Sequence, residues 1–193
     1  MALLGLLYDS AARVQELADL TPADFRFDGP TSTVKLKGKG SKSRIVTLSE
    51  NQVRNLLQYM EEHNLFEPHA SAYPLFPNAH NNKLSRMAIL AIVKKYAAMA
   101  RAIDPTGIPE NIGCHSLRHS KAMHMLEANI NLVYIRDFLG HTTTTTTEIY
   151  ARASAKMKME ALRKMNPSIV LEGKTTWQKD GDLLEWLKTL AKS

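Results

Sequence analysis

A histidine and a tyrosine lie near the two ends of the stretch GHTTTTTTEIYARAS, residues 140–154. Six threonines, Thr142–Thr147, separate His141 from Glu148 and Tyr150. A tyrosine of ordinary pKa, about 10, is a weak nucleophile at neutral pH. A reactive Tyr150 therefore needs other groups that stabilise what it attacks. The alternatives are that Tyr150 is a core aromatic residue and that the threonines are a low-complexity spacer.

The segment CHSLRHS supplies a second set of reactive side chains. His115 and Arg118 are three residues apart, so a helix would present them on one face. A histidine beside an arginine is typical of a phosphate-binding site. The structural alternative is a core histidine with a surface arginine. His115 and His119, four apart, also resemble half of a zinc site. Ser116, however, stands where the metalloprotease motif has glutamate.

A run of basic residues follows in VKLKGKGSKSR, which contains no acid: Lys35, Lys37, Lys39, Lys42 and Arg44. Such residues on a hairpin either form a solvated face or neutralise phosphates along a nucleic-acid backbone. The segment is not a P-loop, because Gly40 follows Gly38-Lys39 where that motif has serine or threonine.

Arg13 lies at a break between two apolar segments and is flanked by Ala11, Ala12 and Val14. A basic side chain in such surroundings is expected to be partly buried and to need an anionic partner. Glu16, three residues further on, is the candidate partner.

The composition is that of a globular protein with a basic surface. Lys and Arg number 25 against 19 Asp and Glu in 193 residues, a net charge of +6 that favours a polyanionic partner such as nucleic acid. The single cysteine, Cys114, excludes an intrachain disulfide and fits a reducing compartment. The start lacks the basic residues of a signal peptide, and no stretch has the roughly 20 apolar residues of a membrane span. We therefore expect a cytoplasmic location.

The elements that must position these residues are mostly helical. Apolar spacing predicts helices over these segments: Ala2–Tyr8, Val14–Leu20, Ser116–Glu127, Leu132–Leu139 and a segment from about Thr146 that carries Tyr150. Two more helices are predicted from their apolar stripes: Val53, Leu56, Leu57 and Met60 after a Ser49–Gln52 capping box, and Ile89, Ile92, Val93, Tyr96 and Ala100. Three runs rich in β-formers, separated by turn residues, predict a small sheet with hairpin connections: Phe25–Phe27, Thr31–Leu36 and Ile45–Leu48. Proline and glycine predict loops over Phe66–Asn82 and Asp104–Gly113.

These elements define an α+β fold, mostly α-helical with a small antiparallel β-sheet near the N-terminus. A stripe of Met159, Leu162 and Met165 closes the predicted domain, residues 1–165. Residues 166–193 are predicted to be a linker and a C-terminal helix with one apolar face: Leu183, Trp186, Leu187 and Leu190.

Five pieces in this order resemble the tyrosine site-specific recombinases, also called phage integrases: ARVQEL, GKGSKSR, HSLRH, FLGH and EIYAR. The resemblance runs from about Leu3 to Ala153. It implies the recombinase catalytic-domain fold and a protein of bacteria or phages that acts in DNA recombination, DNA integration or the transposition of a mobile genetic element. The family's usual N-terminal DNA-clamping domain has no counterpart here, so we expect a fragment.

The resemblance also implies the roles of individual residues. Tyr150 would attack a DNA phosphodiester and form a 3′-phosphotyrosyl intermediate. Arg13 and Arg118 would grip the phosphate oxygens, His115 and His141 would donate hydrogen bonds or move protons, and Lys39 would protonate the leaving 5′-oxygen. Neither metal nor nucleotide would be needed. Lys37, Lys42 and Arg44 are the predicted DNA-binding residues.

Further expectations concern mobility and assembly. Thr142–Thr147 are β-branched and would weaken a helix there, so that Tyr150 can swing toward the phosphate. The family implies self-association, as a tetramer on DNA in the full-length protein, and accessory DNA-bending proteins as further partners. The C-terminal helix would pack on a neighbouring protomer or fold back on its own domain.

Three alternatives stay open at this point. A type IB topoisomerase-like enzyme would use similar chemistry without strand exchange. A non-catalytic DNA-binding accessory protein would have no need for Tyr150 at this offset. A zinc hydrolase would need ligands that the spacing does not supply.

Overall fold

The computed structural model describes residues 2–38, 42–140 and 159 of the chain, which divides into two compact units, Met1–Ser154 and Ala155–Ser193. Described helices of the first unit are α1 (Ala2–Asp9), α2 (Val14–Ala18), α3 (Glu50–Glu62), α4 (Arg86–Ile103), α5 (Cys114–Glu127) and α6 (Leu132–Leu139). The strands are β1 (Phe25–Arg26), β2 (Thr33–Lys37) and β3 (Ser43–Thr47). The predicted α+β class is confirmed. The predicted domain boundary at residue 165 stays a prediction.

The three strands form one antiparallel sheet in the order β1-β2-β3. Val34 of β2 pairs with Val46 of β3, and both are buried, whereas the neighbouring Lys35 is exposed. This alternation follows from the two-residue period of a strand, which places successive side chains on opposite faces. The β2–β3 hairpin closes where the Gly38 amide donates to the Lys42 carbonyl oxygen at 2.7 Å.

The main core lies between α1, the sheet and α3. Four leucines are fully buried there, Leu6, Leu7, Leu36 and Leu56, and burial of each stabilises the fold by roughly 1.5–3 kcal/mol. Helices α1 and α3 approach closely at Gly5, where an added Cβ atom would lie 2.1 Å from Gln52 Oε1.

The predicted capping box of α3 is only half right. Ser49 is the N-cap, and its hydroxyl accepts from the Gln52 amide at 3.4 Å. The Gln52 side chain, however, donates to the Ala2 carbonyl oxygen at 3.1 Å. Asp9 of α1 accepts from the Ser49 amide instead, at 2.7 Å. The acceptor that completes the cap therefore comes from α1, a helix that is adjacent in space but 40 residues away in the sequence.

Helices α5 and α6 pack on a second, smaller cluster of buried residues: Ala11, Ala122, Leu126, Ile135 and Leu139. Asn131 caps α6 by accepting from the Val133 amide at 2.9 Å, and Gly140 ends it in the left-handed conformation, with φ 64°. The predicted bounds of α6 are confirmed. Helix α5 begins at Cys114, two residues before the predicted start, because the Ser116 hydroxyl accepts from the Gly113 amide at 3.1 Å.

The core face of α4 is shifted from the predicted stripe. Ile89, Val93 and Ala97 are buried, whereas Tyr96 is 36% exposed, so the prediction for Tyr96 is wrong. Four-residue steps from Ile89 define the buried line, and Tyr96 lies beside it. In the described part of the chain, no helix is long and apolar enough to cross a membrane.

Candidate active site

Arg118, in the second turn of α5, is one of the largest fully buried side chains, at 2% exposure. Its Nη1 donates to the Ala11 carbonyl oxygen at 2.6 Å, and its Nη2 donates to the Leu139 carbonyl oxygen. The alternative interpretation, in which Arg118 is a surface residue, is therefore wrong. A buried guanidinium needs such acceptors, and here they join the segment before α2 to the end of α6.

Ala11 supplies its acceptor from an unusual backbone conformation. Its φ of 46° is in the left-handed region, and the residue is fully buried. A non-glycine residue there costs roughly 1–2 kcal/mol, which the surrounding packing must offset. This residue forms the break between α1 and α2 that the sequence predicted.

Arg13 is the N-cap residue of α2, and Glu16 is its partner, as predicted. Arg13 Nη1 donates to Glu16 Oε1 at 2.8 Å, and the Arg13 amide donates to Glu16 Oε2 at 2.8 Å. The Arg13 side chain is 44% exposed and the Glu16 side chain only 3%. The buried member of the pair is thus the carboxylate, whereas the guanidinium stays accessible to a ligand.

Glu16 also binds a second arginine. Arg44 of β3 donates from Nη1 to Glu16 Oε1 and from Nη2 to Glu16 Oε2, both at 2.8 Å. Burial acts to raise the pKa of the Glu16 carboxyl, but hydrogen bonds and charge from Arg44 and Arg13 outweigh it and hold that pKa below 4.5. Glu16 is therefore ionised at neutral pH and holds both guanidinium groups.

Three arginines converge on the end of α6. Arg44 Nε donates to the Phe138 carbonyl oxygen at 2.9 Å, Arg118 donates to that of Leu139, and Arg13 Nη2 donates to that of Gly140 at 3.3 Å. The last carbonyls of a helix lack intrahelical partners and carry the negative end of its dipole. Three consecutive carbonyls are thus satisfied by cations, immediately before His141 in the sequence.

His115 lies in the first turn of α5 and is exposed. Its ring packs edge-to-face on that of His119, with centroids 4.5 Å apart. Burial of the part of His115 that is not exposed lowers its pKa below 6.5, and the charges of His119, Arg118 and Arg13 lower it further. The imidazole is therefore neutral at pH 7. The charges of Arg13 and Arg118 thus both act on the His115 imidazole.

The β2–β3 hairpin, in its described part, approaches Glu16. A Cβ atom added to Gly38 would lie 3.3 Å from the Lys42 carbonyl oxygen and 3.5 Å from Glu16 Oε1. The base of the β2–β3 hairpin thus lies beside the carboxylate that holds Arg13. Lys39 itself lies outside the described residues.

The three predicted DNA-binding residues differ from one another. Lys37 Nζ lies 2.8 Å from Asp24 Oδ1 and is 58% exposed, and Lys42 is exposed as well. Arg44 is only 12% exposed and binds Glu16. Sequence reasoning missed this internal role of Arg44, although its two-residue spacing from the apolar Val46 and Leu48 was a signal.

Several predictions fall outside the described residues. They concern two catalytic candidates, His141 and Tyr150, the threonines between them, the helix from about Thr146, the linker and the C-terminal helix. Among the residues that the structure does describe, no three His, Cys, Asp or Glu side chains are grouped as a metal site would require.

Comparison with known proteins identifies the family and the fold. Residues 1–157 match the phage integrase family, and the chain belongs to that family. It is 33% identical over 170 residues to the tyrosine recombinase XerC of Thermodesulfovibrio yellowstonii, covering 86% of this chain and 54% of the relative. It is 31% identical over 166 residues to the tyrosine recombinase XerD of Corynebacterium glutamicum, covering 86% and 52%. The chain thus spans about half the length of these relatives.

Solved structures are similar over most of the chain. The XerH site-specific recombinase bound to its palindromic difH substrate, a post-cleavage complex, has a TM-score of 0.69 at 25% identity, covering 84% of this chain and 44% of that one. The XerA recombinase has a TM-score of 0.68 at 23% identity, covering 84% and 57%. The fold is that of a tyrosine recombinase catalytic domain.

Proposed function

We propose that this chain is the catalytic part of a site-specific DNA recombinase that cleaves and rejoins DNA through Tyr150. One observation supports this most directly. Arg13 and Arg118 both donate to carbonyl oxygens at the end of α6, and the charges of both lower the pKa of His115, in a chain that belongs to the phage integrase family. The chain leads from there directly to His141 and, nine residues on, to Tyr150.

The proposed reaction exchanges one phosphodiester for another. The Tyr150 oxygen forms a bond to the scissile phosphorus, and the bond from phosphorus to the 5′-oxygen breaks, leaving a 3′-phosphotyrosyl link. The phenol proton passes to a histidine of the site, and Lys39 gives a proton to the departing 5′-oxygen. Attack by the 5′-hydroxyl of another strand reverses these steps. The phosphotyrosine conserves the bond, so neither water nor a nucleotide is consumed.

Charge stabilisation falls to the two arginines. The pentacoordinate transition state gathers negative charge on its non-bridging oxygens, and planar guanidinium groups match that geometry. Arg13 is accessible enough to reach a phosphate directly. Arg118 is buried, so it acts on the phosphate only after a local opening of the site. Loss of one such contact costs about 3 kcal/mol of transition-state stabilisation, or about a hundredfold in rate.

The histidine of α5 is suited to its proposed part. Since its pKa is lowered, His115 is neutral at pH 7 and can both donate and accept a hydrogen bond. It can therefore take the phenol proton without first losing one.

The proposal extends to partners and organisation. Double-stranded DNA is the substrate, with Lys37 and Lys42 as phosphate contacts, and the site of action is the cytoplasm. Residues 1–165 form the catalytic domain, and residues 166–193 form a linker and a helix exchanged between protomers that self-associate on DNA. Accessory DNA-bending proteins would shape the recombining complex.

Covalent trapping tests the proposed chemistry. The probe is a library of short duplexes with a randomised segment and a nick, so that the cleaved strand loses the short piece that would reverse the reaction. We expect the wild-type chain to form a protein–DNA adduct that survives denaturation and EDTA, and Tyr150→Phe to form none. Absence of a wild-type adduct at saturating DNA, or its persistence in Tyr150→Phe, would refute the proposal.

Two further experiments separate the finer points. Resolution of branched DNA made from a recovered sequence distinguishes a recombinase from a type IB topoisomerase-like enzyme. Sedimentation of the chain with and without residues 175–193 tests helix exchange. Identical monomeric behaviour of both forms, on and off DNA, would contradict it.

A further inference from the structure

We infer that Arg44 is a positioning residue, which fixes Arg13 and the end of α6, rather than a contact to DNA phosphates. This inference rests on the proposed function. It assigns the one arginine of the basic hairpin a different task from the lysines around it. The Arg44 side chain points inward, binds Glu16 and the Phe138 carbonyl oxygen, and packs against Gly140.

The position of Arg44 in the sheet turns its side chain inward. Arg44 pairs with Leu36 across β2 and β3, and residues directly opposite in such a pair lie on the same face. Leu36 is fully buried. The Arg44 side chain is accordingly only 12% exposed. Lys42, two residues earlier but outside β3, is exposed.

The guanidinium fork of Arg44 is occupied by Glu16. Both Nη atoms donate at 2.8 Å, one to each carboxylate oxygen. Glu16 in turn accepts from the amide and the guanidinium of Arg13. Arg44 therefore fixes the orientation of the carboxylate that orients Arg13. Lysine keeps the charge but cannot form this planar two-bond contact.

The third contact of Arg44 reaches the last turn of α6. Its Nε donates to the Phe138 carbonyl oxygen at 2.9 Å. A Cβ atom added to Gly140 would lie 3.0 Å from Arg44 Cδ, so the side chain also packs on the residue that ends the helix. One side chain thus joins the hairpin, the support of Arg13 and the residue before His141.

The consequence is a defect in chemistry without a defect in DNA binding. Arg44→Lys leaves the net charge unchanged but loosens Glu16, and with it Arg13. A displacement of about 1 Å at a reacting centre lowers rates by about a hundredfold. We therefore expect Arg44→Lys to cleave 10- to 100-fold more slowly at saturating DNA.

The first measurement is the salt dependence of binding to a non-specific duplex. Each phosphate contact contributes about 0.9 to the slope of log K against log salt. We expect Lys42→Gln to lose about that much and Arg44→Gln to keep the wild-type slope. A slope lowered as much in Arg44→Gln as in Lys42→Gln would overturn the inference.

The second measurement is the single-turnover rate of adduct formation on a sequence recovered from the library, with a phosphodiester or a methylphosphonate at the scissile position. A methylphosphonate lacks one charged oxygen and so depends less on Arg13. The wild-type to Arg44→Lys rate ratio should therefore shrink to a few-fold on this substrate. Lys121→Gln, which breaks the partly buried ion pair with Asp9, serves as the control for general destabilisation, and its ratio should be the same on both substrates.

The outcomes separate the inference from the proposed function. No adduct from the wild-type chain refutes the proposed function, whereas the salt slopes still decide whether Arg44 touches phosphate. A wild-type adduct with an equal loss on both substrates in Arg44→Lys, or with no loss at all, refutes the positioning role.

Discussion

The molecule has two basic regions that look alike in sequence and differ in structure. In the arginine centre, defined as Arg13, Arg44 and Arg118, every guanidinium binds a carboxylate or a helix carbonyl. On the β2–β3 hairpin, Lys35, Lys37 and Lys42 are exposed. Two of the forked, weakly hydrated arginines, Arg44 and Arg118, are largely buried, whereas the strongly hydrated lysines lie outside. Charge alone therefore does not identify a DNA contact, because the partners and the burial of a charged side chain decide its task.

The largest contrast in stability is expected between Arg118→Ala and Lys35→Ala. Arg118→Ala leaves two buried carbonyls without this donor and opens a cavity, so it should lower the free energy of unfolding by about 3–5 kcal/mol. Lys35→Ala should change it by less than about 0.5 kcal/mol. Urea denaturation measures both. Similar values for the two variants would erase the distinction between the regions.

Glu16→Gln should lower the free energy of unfolding by about 2 kcal/mol at pH 7, because charge-assisted bonds to two arginines are lost. The folded pKa of Glu16 is lowered from 4.5, so its stabilising contribution is complete above pH 4.5. It is lost as the pH falls through the folded pKa. Denaturation of the wild type should show this decline below pH 4.5, and Glu16→Gln should show less of it. An equal decline in both proteins would contradict the assignment.

Gly140→Ala should lower the free energy of unfolding by about 1–2 kcal/mol, since φ is 64° and the new Cβ atom would press on Arg44. Gly29→Ala is the matched control. Its Cβ atom would meet only the Thr31 backbone, at 3.7 Å or more, so we expect a change below about 0.5 kcal/mol. Thermal denaturation of the two variants decides whether the end of α6 is as tightly fitted as its contacts indicate.

The smallest effect is expected at His115. NMR titration should give an imidazole pKa below 6.5, and Arg13→Gln should raise it slightly, because Arg13 is the weakest of four causes that lower it. Burial and the other cations would remain. An imidazole pKa above 6.5 in the wild type would show that His115 does not share the neighbourhood of the arginines.

Much of the fold could be predicted from the sequence, because local signals agreed with the tertiary structure. Asn131 and Gly140 define α6 at both ends, and alternation defines the hairpin. The start of α5 was missed because Ser116, which the sequence suggested as the first residue, instead accepts a hydrogen bond from the Gly113 amide three residues earlier. Tyr96 was misplaced since helical spacing gives a stripe several residues wide and only packing selects its edge.

The candidate site could be predicted less completely. The pairing of Arg13 with Glu16 followed from three-residue spacing, and the structure confirms it. Arg44 was predicted to contact DNA and Arg118 to grip the scissile phosphate, and the burial of both was missed because a sequence gives charge but not burial. Besides the Glu16 carboxylate that binds Arg44, their acceptors include the backbone carbonyls of Phe138, Ala11 and Leu139. Backbone acceptors are the same at every residue, so no side-chain pattern could have identified them.

The contacts of the arginine centre have a kinetic consequence. They join residues 94, 107 and 127 positions apart along the chain. Closing loops of that length early is entropically costly, and folding slows as contacts become less local. The centre should therefore be among the last parts to assemble. Recovery of adduct formation after dilution from denaturant would then lag behind recovery of helix content. The length of this delay would measure how long α6 takes to pack against the three arginines.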